Sequence, residues 1–180
     1  MSARGGRIVV TGFMAAGKTT VARALAARLG CASADTDELI TAREGRSIRA
    51  IIDEDGEARF RQIETSTLRA VLDDNAARII ALGGGAWTLA ENRSLIARYD
   101  CLTVWLDAPF ELCWQRIADA DDARPLARDR TRARELYEAR RASYELASHR
   151  VAVGEELSAD DVAAEIVVII ERQSLEEKRT

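Results

Sequence analysis

The sequence predicts an α/β fold of three layers, a parallel sheet with helices on both faces. Short β-branched runs alternate with helix-forming segments along the chain. The first such run ends at a glycine and leads directly into a helix, and no internal repeat or Pro/Ser-rich linker interrupts the alternation. Sheets of this kind bind ligands beyond the carboxyl ends of their strands, so the residues after Thr11, Asp35, Leu82 and Leu106 are where chemistry is expected.

In order, Ile8 to Thr11 reads as a buried strand. Lys18 to Leu29, rich in Ala, Leu and Arg and closed by Gly30, reads as a helix. A strand follows over Ala32 to Asp35, then short helices over Asp37 to Arg43 and Ser47 to Asp53, and a longer one over Glu57 to Leu72. Arg78 to Leu82 is a strand running into Gly83-Gly84-Gly85, and Glu91 to Arg98 is helical. Cys101 to Leu106 is a strand, and Pro109 opens a helix to about Ala118. Thr131 to Ala147 is helical and Arg150 to Val153 is a last strand. Ser158, with Asp161 three residues on, resembles a capping box ahead of a helix to Glu171. Residues 1–172 are expected to form a single domain, and 173–180 a polar tail that frays.

With 180 residues, 47% hydrophobic and 31% charged, the chain has the balance of a globular domain and can bury a large core. A net charge of -4 argues against a dedicated nucleic-acid binder. The 26 Lys and Arg, most of them arginine, still allow local basic pockets suited to planar anions. Cys31, Cys101 and Cys113 form no C-x-x-C pair and read as reduced thiols of a cytoplasmic protein. The single histidine, His149, leaves little material for a zinc site or a Ser-His-Asp triad. Met1 to Gly6 lacks the apolar run of a signal peptide, and no stretch approaches a membrane span. Trp87, Trp105 and Trp114 read as core or pocket walls, and a monomer is expected.

The strongest motif is Gly12-Phe13-Met14-Ala15-Ala16-Gly17-Lys18-Thr19, a full G-x-x-x-x-G-K-[ST] between a strand and a helix. Backbone N–H groups of such a loop and the helix N-terminus point at phosphates. Lys18 adds a point charge on the β- and γ-phosphates, and the Thr19 hydroxyl can ligate magnesium. The motif alone does not separate kinases from GTPases, motors or non-catalytic binders.

Other residues narrow the class. Asp35 and Asp37, one residue apart in an extended segment, would point to opposite sides, one toward a magnesium shell and one toward a second substrate; capping of a helix by Asp37 is the alternative. Arg61 and Glu64 stand at i and i+3 on a helix, either a surface ion pair or an arginine aimed at a substrate carboxylate. Gly83 to Gly85 allow close approach of backbone to a ligand, or form a mere flexible turn. Arg124, in the polar stretch from Asp119 to Arg130, suits a lid that brings charge onto a transferring phosphoryl group, or a solvated loop. Arg140 and Arg141, taken alone, are ordinary surface arginines.

Taken together these motifs resemble the shikimate kinase family. The phosphate loop, Asp35-Thr36-Asp37, Gly45-Arg46-Ser47-Ile48, Phe60-Arg61-x-x-Glu64, Gly83-Gly84-Gly85, Arg124-Pro125-Leu126 and Arg140-x-x-x-Tyr144 occur in that family's order from about Ile8 to Ile170. The resemblance implies a P-loop kinase fold like that of nucleoside monophosphate kinases, with a five-stranded parallel sheet. It also implies a lid over about 119–130 and a helical substrate-binding segment over about 37–66. The implied reaction is transfer of the ATP γ-phosphoryl group to the 3-hydroxyl of shikimate, toward chorismate and the aromatic amino acids. Gly12, Ala15, Ala16, Gly17, Lys18, Thr19 and Thr20 would then hold ATP, with Thr19 and Asp35 at Mg2+. Asp37 would bind the substrate hydroxyls and help deprotonate the attacking one, and Arg61 and Arg140 would clamp the carboxylate beside Gly83, Gly84 and Gly85. Arg124 would descend on the phosphates, while Arg116 and the Val153 to Ser158 loop would meet adenine.

Three departures stand out. The family usually has glycine where Ala15 stands, which costs about 1 kcal/mol if the backbone there is left-handed. Ala142-Ser143 replaces a frequent Pro-Leu, and Ala81 and Leu82 leave no hydroxyl before the triple glycine. A gluconate or nucleotide kinase of the same fold, or a nucleotide-binding regulator without turnover, are the competing readings.

Overall fold

A computed structural model of the chain describes residues 6–119 and 129–177. Five strands, β1 (Ile8–Thr11), β2 (Ser33–Asp35), β3 (Ile79–Ala81), β4 (Leu102–Asp107) and β5 (His149–Ala152), form one sheet in the order β2-β3-β1-β4-β5. Every pairing is parallel, with Val9 opposite Ile80 on one side and Thr103 on the other. Ile8, Val9 and Val10 are essentially inaccessible, as a β-branched strand covered on both faces should be. The carboxyl ends of all five strands therefore lie along one edge.

The helices that flank the sheet begin and end close to where the sequence places them. Helix α1 (Lys18–Leu29) stops at Gly30, whose left-handed backbone (φ 60°) returns its N–H to the Ala26 and Ala27 carbonyls. It packs on α8 (Ala159–Glu177). The expected capping box is present, with Asp161 N–H donating to Ser158 Oγ at 3.1 Å and Ser158 N–H to Asp161 Oδ2 at 2.9 Å. The helix does not stop near Glu171. Gln173, Leu175 and Glu176 are good helix formers with no breaker among them, so the expected fraying tail is helical through Glu177.

Helices α2 (Thr36–Glu44), α3 (Ile48–Asp55) and the first half of α4 (Glu57–Asp74) close around a small core of Ile40, Ile51, Phe60 and Ile63. This is the segment expected to serve the acceptor. Farther along, Leu68 and Leu72 of α4 enter the main core under the sheet, so one helix joins both cores. Helices α5 (Ala90–Arg98), α6 (Phe110–Ala118) and α7 (Arg130–Tyr144) complete the described chain. A 3-10 turn at Ala86–Thr88, not foreseen, follows the triple glycine. Buried Asn92 holds it by donating from Nδ2 to the Ala86 carbonyl at 2.9 Å.

The segment after β2 departs from expectation. Asp35, not Asp37, is the helix cap, accepting from the N–H groups of Asp37 (2.8 Å) and Glu38 (3.3 Å). The chain is therefore helical from Thr36, and Asp37 sits in the first turn rather than in an extended run. Thr36 is fully buried and ties this turn to the next strand: its hydroxyl accepts from Gly83 N–H at 2.9 Å and faces the Ala81 carbonyl at 3.4 Å. Thr36→Val keeps the shape but leaves the Gly83 N–H unsatisfied, a loss of about 1–3 kcal/mol. Chemical denaturation should register that loss, and Thr36→Ser should recover most of it.

Candidate active site

The loop between β1 and α1 takes the form its residues require. Gly12 has φ 145°, and a β-carbon there would lie 2.7 Å from the Leu106 carbonyl of β4. Phe13 oxygen accepts from Ala16 N–H at 3.2 Å and from Lys18 Nζ at 2.9 Å, which curls the loop around its own lysine. Gly17 precedes α1 with no side-chain cap, so the first N–H groups and the positive end of the helix dipole are available to an anion. The sequence left open whether position 15 needs a left-handed backbone. It does: Ala15 has φ 59°.

The loop forms one wall of a cavity of about 450 Å³. Ala15, Ala16, Gly17, Lys18, Thr19 and Thr20 all line it. Asp35, Asp37, Gly84 and Arg116 line it too, as do Val153, Leu157 and Ser158 of the loop that the family resemblance assigns to adenine. Arg116 reaches back from α6 and donates to the Ala15 carbonyl at 3.1 Å. At the foot of the loop the Thr19 hydroxyl donates to Asp35 Oδ2. The same carboxylate thus caps α2 with one oxygen and holds Thr19 with the other.

Next to this loop the structure gathers residues that the sequence reading expects to serve the acceptor. Gly83, Gly84 and Gly85 are needed for room rather than for φ. A β-carbon at Gly83 would collide with Asp37 Oδ1 and lie 2.8 Å from Glu64 Oε1. At Gly85 it would lie 2.6 Å from both terminal nitrogens of Arg61. The approach expected there, between backbone and ligand, is first an approach between backbone and the side chains of the site. Arg61 pairs with Glu64 at 2.7 Å and with Glu57 at 3.1 Å. This is not a surface pair, because the Glu64 side chain is 1% exposed.

Burial pushes the Glu64 carboxyl above the usual carboxylate range despite the pull of Arg61, and Asp37 adds to the rise. Arg140, on α7, is also buried, and burial together with the nearby Arg61 charge holds its guanidinium below its ordinary value. Tyr144 bonds the Gly84 carbonyl through its hydroxyl and is pushed up to about 12 by burial, against the pull of Arg140.

The two adjacent arginines of α7 have separate fates. Arg141 bonds Asp107 and the Tyr137 hydroxyl, each at 3.0 Å, and lies over the Trp105 ring. Among the described residues Arg140 forms no ion pair; its charge lies near Arg61, Glu64 and Tyr144. The sequence placed Arg140 in the site by motif alone. Glu64, Thr36 and Tyr144 had no assigned role. The signal for Glu64 was its place in Phe60-Arg61-x-x-Glu64, three residues along the helix from Arg61. Arg124 lies outside the described residues, as do residues 120–128 of the expected lid.

Among the described residues no helix is long and apolar enough to cross a membrane. The family model for shikimate kinase matches residues 14–171. A shikimate kinase of Salinibacter ruber is 39% identical, over 93% of this chain and 86% of its own. The shikimate kinase of Acinetobacter baumannii, solved in complex with shikimate, superposes with a TM-score of 0.87 at 34% identity, covering 94% of this chain and 95% of that one. The enzyme of Aquifex aeolicus gives a TM-score of 0.78 at 32% identity over 94% and 98% of the two chains. With its phosphate loop, paired arginines and triple glycine arranged on this sheet, the chain belongs to the shikimate kinase family.

Proposed function

We propose that the chain carries out the family's reaction through the residues gathered at the carboxyl edge of its sheet. It moves the γ-phosphoryl group of ATP onto the 3-hydroxyl of shikimate. The observation that carries the assignment of roles is the meeting of Asp37, Arg61 and Arg140, from three different helices, around buried Glu64 beside the glycine turn that borders the cavity. One buried and one partly buried guanidinium suit a planar carboxylate. An anion placed between them would offset both the burial and the nearby Arg61 charge that hold the Arg140 guanidinium below its ordinary value. Asp37, which lines the phosphate cavity and lies against the glycine turn, is where an acceptor hydroxyl would sit.

In this reading the loop N–H groups and Lys18 cradle the β- and γ-phosphates, and the shikimate carboxylate is held by Arg61 and Arg140. Asp37 orients the 3-hydroxyl and receives its proton as the oxygen bonds to phosphorus and the bond to the ADP oxygen breaks. Transfer of this kind rests on positioning and charge stabilisation. Arg124 would add charge from the lid. The Thr19 hydroxyl and Asp35 carboxylate form a small hard-oxygen set that fits Mg2+ held largely by phosphates and water. The ion, when bound, neutralises charge on the phosphate oxygens. Free thiols at Cys31, Cys101 and Cys113 suit a reducing compartment, and a cytoplasmic monomer completes the proposal.

An ADP-release assay with ATP, magnesium and shikimate tests this, run beside gluconate, quinate and nucleoside monophosphates. Turnover should depend on shikimate. Equal turnover on gluconate or on a nucleotide would move the substrate assignment to another kinase of this fold. Lys18→Met should abolish turnover with an unchanged circular dichroism spectrum. Arg61→Ala removes a charge-assisted contact worth about 1.5–3 kcal/mol, so the KM for shikimate should rise roughly 10- to 150-fold.

The glycine turn gives a finer test. Gly85→Ala pushes directly on the Arg61 guanidinium and should raise the shikimate KM roughly tenfold or more while sparing the KM for ATP. If both constants rise together, the turn supports the whole edge of the sheet rather than the carboxylate clamp.

A further inference from the structure

Ala15 is one of three non-glycine residues with positive φ among the described residues, and it lies in the loop that would carry the phosphates. A left-handed alanine lowers the population of its conformation by a factor of roughly five to thirty, because its β-carbon crowds the following carbonyl. Such a residue persists where surrounding contacts over-determine it. Here the contacts act on the Ala15–Ala16 peptide from both ends. Its N–H, that of Ala16, donates to the Phe13 carbonyl at 3.2 Å. Its oxygen, that of Ala15, accepts from Arg116 Nη1 at 3.1 Å.

Arg116 is well placed to hold that oxygen. Its helix, α6, is fixed by Phe110, Leu112, Cys113 and Ile117, all buried in the main core. The guanidinium therefore reaches the loop from a rigid platform, across 101 positions of sequence. It lies over the loop's last turn, 3.7 Å from where a β-carbon of Gly17 would stand. The Phe13 oxygen that receives the Ala16 N–H also receives Lys18 Nζ at 2.9 Å. A rotation of the Ala15–Ala16 peptide would withdraw one donor from that oxygen and change the seat of the lysine.

We propose that Arg116 is a positioning residue for the phosphate loop: it holds the Ala15–Ala16 peptide in its left-handed turn and, through the Phe13 carbonyl, sets where Lys18 is presented. The proposal rests on the reading of this loop as the ATP phosphate site. It adds to Arg116 a role distinct from contact with a nucleotide base. Because the strain belongs to alanine, the dependence on Arg116 belongs to this pairing of residues, and glycine at position 15 should relax it.

The test is a double-mutant cycle read by ATP affinity without shikimate, using isothermal calorimetry on the full chain. Arg116→Met should weaken ATP roughly five- to thirtyfold, the size of the strain it restrains. In an Ala15→Gly background the same substitution should cost less than about threefold, since glycine holds the turn unaided. Arg116→Lys, which keeps the charge without the planar fork, should fall between Arg116→Met and the parent. Adenosine, which has no phosphates, reports any base contact alone, so in Arg116→Met the ATP loss should exceed the adenosine loss by about fivefold or more. An equal ATP loss in both backgrounds, or an adenosine loss as large as the ATP loss, would overturn the proposal. ATP titration does not depend on the acceptor, so missing turnover on shikimate sinks the acceptor assignment and leaves this cycle to be judged separately.

Discussion

The parallel register of β1 with β3 and β4 is the constraint on which the site depends. It brings three loops to one edge at nearly one level. The chain leaves β1 at Gly12 against the Leu106 carbonyl of β4. It leaves β3 just after Leu82, whose N–H bonds the Val10 carbonyl of β1 at 3.0 Å. It leaves β2 at Asp35 and turns at once into a helix whose first residue, Thr36, accepts from Gly83 N–H. The phosphate loop, the Asp35 cap and the glycine turn are thus joined by backbone hydrogen bonds and one buried hydroxyl. A side chain on any of these loops inherits its position from the sheet.

Electrostatics then decides how closely the groups may be drawn together. Glu64 feels the charges of Arg61, Asp37 and Arg140, and burial disfavours the charged forms of Glu64, Arg61 and Arg140. Glu64 is pushed toward its neutral form and Arg140 toward its own. Each shift opposes the charged form that recognition uses. Such an arrangement is poor as a source of stability and well suited to a site that a ligand carboxylate completes. Arg141 makes the contrast. It is more exposed, paired with Asp107 and stacked on Trp105, and its charge is spent on holding α7 to the end of β4.

Much of this was legible in the sequence because the signals were local. The phosphate motif, the strand–helix alternation, the Gly30 stop and the Ser158–Asp161 cap each depend on a few neighbouring residues, and the structure has them where expected. What was not legible depends on contacts between distant segments. Nothing near Glu64 announces that it is buried, because burial comes from the packing of α4 against the glycine turn. The triple glycine read as freedom for a ligand, yet the space it provides is filled first by Asp37, Glu64 and Arg61. Asp37 read as extended because its helix is capped by Asp35, whose other carboxylate oxygen is held by Thr19, sixteen residues earlier. The helical end of α8 was misread because polarity was taken for fraying, although residues of high helix propensity continue the turn without a breaker.

The path of α4 explains why Arg61 can be held rigidly although its side chain is long and flexible. Phe60 and Ile63 are committed to the small core with Ile40 and Ile51, while Leu68 and Leu72 are committed to the main core. Arg61 and Glu64 lie between these two anchorages on one continuous helix, so the backbone beneath them is pinned on both sides. The guanidinium is then fixed by Glu64 and Glu57 along the helix and confined by the Gly85 backbone from above. An arginine pinned in this way has already lost most of its rotamer freedom before a ligand arrives, and little more is lost on binding. Arg140 is confined similarly by its burial and by Tyr144, itself tied to Gly84. Arg61 therefore refers to the three-glycine turn through close packing, and Arg140 refers to it through Tyr144, which bonds the Gly84 carbonyl.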